Sequence, residues 1–259
     1  MEATDVTDTQ SGGLNEEPTE ADFVDIQGDL AEMREAIRAN REWAARKDRE
    51  AAAEPSLAQF LTTWDSITQD DVDEFRAVLD QATTELPLTT LLAERPHLLV
   101  QSLGGGLGRW VIPEKMFGDE YRGDFMIAEK TSVGFEWLAV ECEGPQRKMF
   151  NKNGSANKWL NRGIEQINDW RTFIRENPDY TRKPRDRHGL GLVDIDSDVR
   201  GLVIIGRRHE TPSSTNSRRR QLAIRNNLDI HSWDWLVDQA QGRVDALEDW
   251  RLRQGGDAS

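Results

Sequence analysis

The chain has 259 residues, with 33 basic against 47 acidic side chains and a formal net charge of −14. Hydrophobic residues make up 37% and 20 glycines add to them, so a globular core is affordable over most but not all of the length. One cysteine excludes an internal disulfide, the absence of long apolar runs excludes a membrane span, and no basic start with an apolar stretch marks a secretion signal, so the cytoplasm is the expected location.

Residues 1–33 carry ten Asp and Glu and no Lys or Arg. One sign of charge with low hydrophobicity predicts a disordered acidic tail over 1–28, serving as a solvating segment or as a regulatory or DNA-mimicking one. From 29 to 83 the composition predicts a helical N-terminal region. Leu30, Met33, Ile37 and Ala44 form a thin stripe suited to a solvated linker helix or to self-association, and Leu57, Phe60, Leu61, Trp64, Val72, Phe75, Val78 and Leu79 suggest core helices. A helix over Thr89–Arg95 stops before Pro96, and the glycines at 104–106 lack the Gly-Lys-Ser/Thr of a phosphate loop and read as a turn. Strands are expected at Gly108–Phe117, Asp124–Lys130, Phe135–Glu143, Val199–Arg208 and Asp229–Trp233. Helices are expected at Ala156–Glu176, Asn216–Asn226 and Trp235–Arg251. The order describes an α/β domain over 84–251 with a mixed sheet flanked by helices, and 252–259 form a flexible end.

Thr131-Ser132-Val133-Gly134 predicts an antiparallel hairpin joined by four residues. If Lys130 faces Phe135, Asp124 falls opposite Glu141. Strand alternation then sends Glu141 and Glu143 to one face and Leu138, Val140 and Cys142 to the other. Like charges opposite each other in a sheet destabilise it, and a hard divalent cation such as Mg²⁺ is the simplest compensation. A register shifted by one or two residues would instead leave the acids at a solvated strand end.

Asp124 followed by Glu141-Cys142-Glu143 after an apolar strand resembles the PD-(D/E)XK nuclease signature, with Glu143 where that superfamily usually has lysine. The wider pattern resembles the Shedu anti-phage nuclease family. The matching strings are ERPHLLV, VIPEKMFGDEYRGDFMIA, WLAVECEGPQRKMF, GIEQINDWRTFI, GLVIIGR and NLDIHSWDWLV, which together run from about Leu86 to Val237. The resemblance implies a restriction-endonuclease-like αβββαβ core and a cytoplasmic, Mg²⁺- or Mn²⁺-dependent DNA endonuclease acting in phage defence as a homo-oligomer. It implies Asp124 and Glu141 as metal ligands, Glu143 in the third motif position and Gln166 as a helix residue near the site. Lys148 or Lys152 would then replace the missing lysine charge.

On periodicity alone, Trp159, Gly163, Ile167, Trp170 and Ile174 form a buried stripe with Gln166 at its edge, bonded either to a sheet carbonyl or to the site. Glu94 is a candidate upstream acid, with an exposed surface glutamate as the alternative. Between Arg182 and Arg225 basic residues outnumber acidic ones, and Arg207, Arg208, Arg218, Arg219, Arg220 and Lys152 are the expected contacts to double-stranded DNA. His209 is a further candidate, whereas His97, His188 and His231 lack zinc-ligand spacing. Most of the nine tryptophans are expected in the core, with Trp43 the exception. Two other functions fit the same residues: a catalytically degenerate DNA-binding sensor, and an assembly protein working through its N-terminal helix.

Overall fold

A computed structural model describes residues 33–35, 37–38, 57–104, 107–113 and 123–255. The chain divides into two compact units, 1–46 and 47–259. In the first, residues 33–35 and 37–38 are helical, with Met33 and Ile37 exposed and Arg38 paired with Glu35. The acidic tail, the rest of the linker helix and Trp43 lie outside the described residues.

In the second unit, six strands form one sheet in the order β1-β2-β3-β4-β5-β6. They are β1 Leu61–Thr62, β2 Arg109–Pro113, β3 Phe125–Thr131, β4 Gly134–Cys142, β5 Arg200–Ile204 and β6 Leu228–His231. Strands β1 to β4 pair antiparallel, and β4-β5-β6 pair parallel. The helices are α1 Gln69–Gln81, α2 Leu86–Glu94, α3 Lys158–Glu176, α4 Pro178–Arg182, α5 Asn216–Arg225 and α6 Trp233–Gly255. The mixed sheet flanked by helices matches the expected α/β class, and β2-β3-β4-α3-β5 run in the expected order.

Alternation along the strands separates two cores. Met126, Ala128, Trp137, Ala139 and Val203 pack with Ile164, Ile167 and Trp170 of α3. Phe125, Ile127, Val140, Cys142, Leu202 and Ile204 pack with Val72 and Phe75 of α1, Leu88 of α2 and Trp233 and Leu236 of α6. The sheet is therefore buried on both faces where its strands run parallel, as parallel pairing requires. Helix α1 starts at a capping box, in which Thr68 accepts from the Asp71 amide and Asp71 accepts from the Thr68 amide at 2.9 Å. Helix α3 is capped by Asn157, which accepts from the Trp159 amide.

Three expectations are corrected. Residues 57–64 are not a helix: Ala58–Phe60 form a 3-10 turn and Leu61–Thr62 the edge strand β1, because Leu57 and Phe60 serve the α3-side core through a short turn. The β3–β4 connection is the two-residue turn Ser132-Val133, since Thr131 and Gly134 already pair; Gly134 has φ +118, which suits glycine. Trp159 is only half-buried, and Leu160 and Ile164 take its place in the stripe of α3. Helix α4 was not foreseen.

Arg171 of α3 is buried, and its guanidinium donates to the carbonyls of Val199, Asn226 and Asn227 at 2.9, 2.9 and 2.8 Å. It fastens α3 to both the entry of β5 and the entry of β6. His231, at the end of β6, stacks on Trp235 with ring centroids 3.8 Å apart. Burial first, with Arg219 and Arg200 adding to it against the opposing Asp229, pushes its pKa down to about 4. The folded protein thus keeps His231 neutral while the unfolded chain binds a proton near pH 6.5, so this site costs stability as pH falls from about 6.5 towards 4 and nothing above it. His231→Phe should flatten that part of the stability-versus-pH curve, measured by urea unfolding; identical slopes in both proteins would refute the assignment.

Candidate functional site

The observed hairpin register pairs Phe125 with Val140 and Lys130 with Phe135, which is the expected alignment. Asp124 sits one residue before β3, and its carboxylate accepts from the Cys142 amide at 2.7 Å. It is thereby pinned to the end of β4, beside the two acids that flank Cys142. Glu141 and Glu143 are 2% and 5% exposed, on the face opposite Val140 and Cys142 and against α3. The backbone of Glu143 is held beyond the strand end by its own amide donating to Ile204 at 2.7 Å and by the Trp233 indole donating to its carbonyl at 2.8 Å.

Two glycines make this end of the sheet tight. A first side-chain carbon at Gly123 would lie 1.8 Å from Trp170 Nε1 and 2.9 Å from Glu141 Oε1, so the carboxylate and the indole both border a position that only glycine leaves open. One at Gly163 would lie 3.0 Å from Val203 and 3.8 Å from the Glu143 side chain, which lets α3 press on the strand ends. Glu85, at the start of α2, is a fourth acid here: its Oε2 lies 3.3 Å from where a Gly144 side chain would begin. It was not foreseen, and Glu94 is exposed at the far end of the same helix.

Burial pushes the Glu143 carboxyl up to about 7, reinforced by Glu85 and Asp124 and opposed by Arg162 and Arg147. The buried Cys142 thiol is pushed well up by desolvation and then by Asp124, Glu141, Glu143 and Glu85, which disfavours its thiolate. A divalent cation fits this donor chemistry. Hard carboxylate oxygens crowd one strand end, although among the described residues no group of three or more His, Cys, Asp or Glu side chains is arranged to hold a metal ion. Asp124 and Glu141 are the two carboxylates that would hold a hard divalent cation here.

The cations sort differently from their sequence order. Arg162, one helical turn before Gln166 on α3, has Nε 3.8 Å from Glu143 Oε1. Arg147 lies 3.9 Å from the centre of the Trp159 ring, which Lys158 and Arg162 also approach at 4.8 and 5.9 Å. The signal available for Arg162 was its spacing from Gln166 on one helix face. Gln166 is half-buried on that helix. Lys148 instead pairs with Glu210 at 2.7 Å, and Lys152 is exposed in the following loop. Arg207 is bound by Asp234 and Asp80, both at 3.0 Å, and Arg208 by Asp238. Arg218 donates to the Gly154 carbonyl, Arg219 is half-buried, and Arg220 and His209 are exposed.

Fold and site together define an α/β protein with a buried acidic centre at the carboxyl end of the central strand of a mixed sheet. Residues 82–237 match the family described as Shedu protein SduA, C-terminal. The chain belongs to the Shedu family, which is associated with anti-phage defence. No curated protein matches it. Among the described residues no helix is long and apolar enough to cross a membrane.

Gly123→Ala should destabilise the protein by about 1–3 kcal/mol, since the new methyl must displace Trp170 or Glu141. Urea unfolding of the variant checks this, and an unchanged midpoint would show that the carboxylate and indole do not crowd that position.

Proposed function

We propose that the protein is a metal-dependent DNA endonuclease that hydrolyses phosphodiesters of double-stranded DNA, working in the cytoplasm as a homo-oligomer. The observation that carries this reading is the convergence of Asp124, Glu141 and Glu143 at one buried strand end of a Shedu chain. Asp124 and Glu141 would hold Mg²⁺ or Mn²⁺, which when bound supplies Lewis-acid polarisation of the phosphodiester and neutralises its charge. Glu143 orients the attacking water and accepts its proton as the water oxygen bonds to phosphorus, the bond from phosphorus to the leaving sugar oxygen breaks, and that oxygen takes a proton from solvent. Gln166 donates to a phosphate oxygen from α3.

Arg162 supplies the positive charge that the related motif takes from lysine, because its guanidinium contacts Glu143, whereas Lys148 is directed to Glu210 in the neighbouring groove. A guanidinium there faces the charge that develops on the phosphate in the transition state.

Plasmid cleavage with Mg²⁺ or Mn²⁺ tests the reading. Glu141→Ala should abolish cleavage, and a mutant that cuts as fast as the wild type would refute the site. Arg162→Ala should lower kcat by about a hundredfold, and Lys148→Ala by much less. The reverse order would return the lysine role to Lys148. Glu143 in the lysine position favours one other reading, a DNA-binding sensor without catalysis; tight DNA binding with no cleavage under any divalent ion would select it.

A further inference from the structure

Beyond the carboxyl ends of β4 and β5 lies a groove of about 840 Å³. One wall is the loop from Lys148 to Asn157, and the other is the stretch from Glu210 into the first turns of α5. Contacts at two places hold the walls together. Lys148 meets Glu210 at 2.7 Å, and Arg218 of α5 donates to the carbonyl of Gly154, a glycine with φ +77. In the chain, the Gly144–Arg147 turn joins Glu143 to the first lining residue, Lys148, and it is fastened to the end of β5 because the Gly206 amide donates to the Gly144 carbonyl at 3.3 Å.

The lining carries Lys148, Lys152 and Arg218 against the single acid Glu210, in a chain of net charge −14. Hydroxyl and amide side chains, among them Ser214, Ser217 and Asn153, supply most of the remaining polar groups. The aromatic and thioether side chains in the lining, Phe150 and Met149, are 8% and 2% exposed and belong to the core, so the groove offers no aromatic face on which an unpaired base could stack. Cations and neutral donors without a stacking platform suit the sugar-phosphate backbone of a duplex rather than a single strand or a free nucleotide.

We infer that this groove carries the phosphate backbone of double-stranded DNA and aligns it with the acidic centre, Lys148, Lys152 and Arg218 being the contacts. The inference rests on the nuclease reading for its substrate and on the groove for its position. Lys152 makes no ion pair among the described residues and is free to bind phosphate. Lys148 exchanges Glu210 for a phosphate oxygen; both partners are well exposed, at 61% and 39%, so breaking their pair costs little. Arg218 keeps its bond to Gly154 through one nitrogen and presents the others. Arg207, largely covered and held by both Asp80 and Asp234, contributes no contact.

The test is fluorescence anisotropy of a labelled duplex of roughly two helical turns with the full chain in EDTA, so that binding is read without cleavage. Lys152→Glu and Arg218→Glu together should weaken binding at least about tenfold and lower the slope of log affinity against log salt by about two. Lys152→Glu alone, on an exposed side chain that no fold contact uses, should weaken it in the same direction. Arg187→Glu, an equal charge change outside the groove, should leave affinity within about twofold. Glu210→Gln should tighten binding by releasing Lys148. Wild-type affinity in the double variant, a Glu210→Gln variant that binds no better, or displacement of the duplex by ATP or inorganic phosphate at stoichiometric levels would each overturn the proposal. Cleavage by a wild-type protein whose groove variants bind normally overturns the groove and leaves the nuclease. Groove-dependent binding by a wild-type protein that never cuts overturns the nuclease and leaves the groove.

Discussion

Registry between β3 and β4 is the constraint from which the acidic centre follows. Because the pairing puts Phe125 opposite Val140, Asp124 lies beside the end of β4 and its carboxylate receives the Cys142 amide. A slip of one residue would exchange the two faces of β4. Glu141 and Glu143 would then enter the core that Val140 and Cys142 now share with α1 and α6, far from Arg162 and from the opening over Gly123. The apolar residues on both faces, Ala139 and Trp137 on one and Val140 and Cys142 on the other, hold the register and with it the carboxylates. Sheet stability and site geometry are here one property.

Much of this was legible in the sequence, for identifiable reasons. Alternation of apolar residues marks β3 and β4, and a short glycine-ended connection sets their pairing, so the meeting of Asp124 with the Glu141–Glu143 segment follows by counting. The long helix α3 and its Gln166 edge follow from a clean 3.6-residue period. The region from Leu57 to Trp64 misled because a 3-10 turn followed by a two-residue edge strand spaces its apolar residues much as a helix does. Glu85 was not found because it reaches the site across the fold from the start of α2, which no local pattern reports, whereas Arg162 was signalled only by its one-turn spacing from Gln166.

Arginine shows why counting charges along the chain is a poor guide to a binding surface. Arg171 is consumed by three carbonyls at the entries of β5 and β6. Arg207 spans Asp80 of α1 and Asp234 of α6, and Arg109 sits buried on β2, donating to Val100 and Gly104. These side chains bind elements together with hydrogen bonds that buried backbone oxygens need. The cations left over are fewer than the composition suggests, and Lys148, Lys152 and Arg218 are the ones that line the groove.

The parallel pairing of β4 with β5 also governs the order in which the molecule is built. Leu138 faces Arg200, about sixty residues later in the chain, with all of α3 and α4 in between. Closing so long a loop is slow compared with zipping the β3–β4 hairpin, so the hairpin forms first and waits with one edge open. A ribosome that has delivered Glu141 and Glu143 has not yet delivered Val203 and Ile204, which hold them in place. The acidic centre is thus completed only after β5 has emerged, and a product truncated before Arg200 carries the acids without their setting.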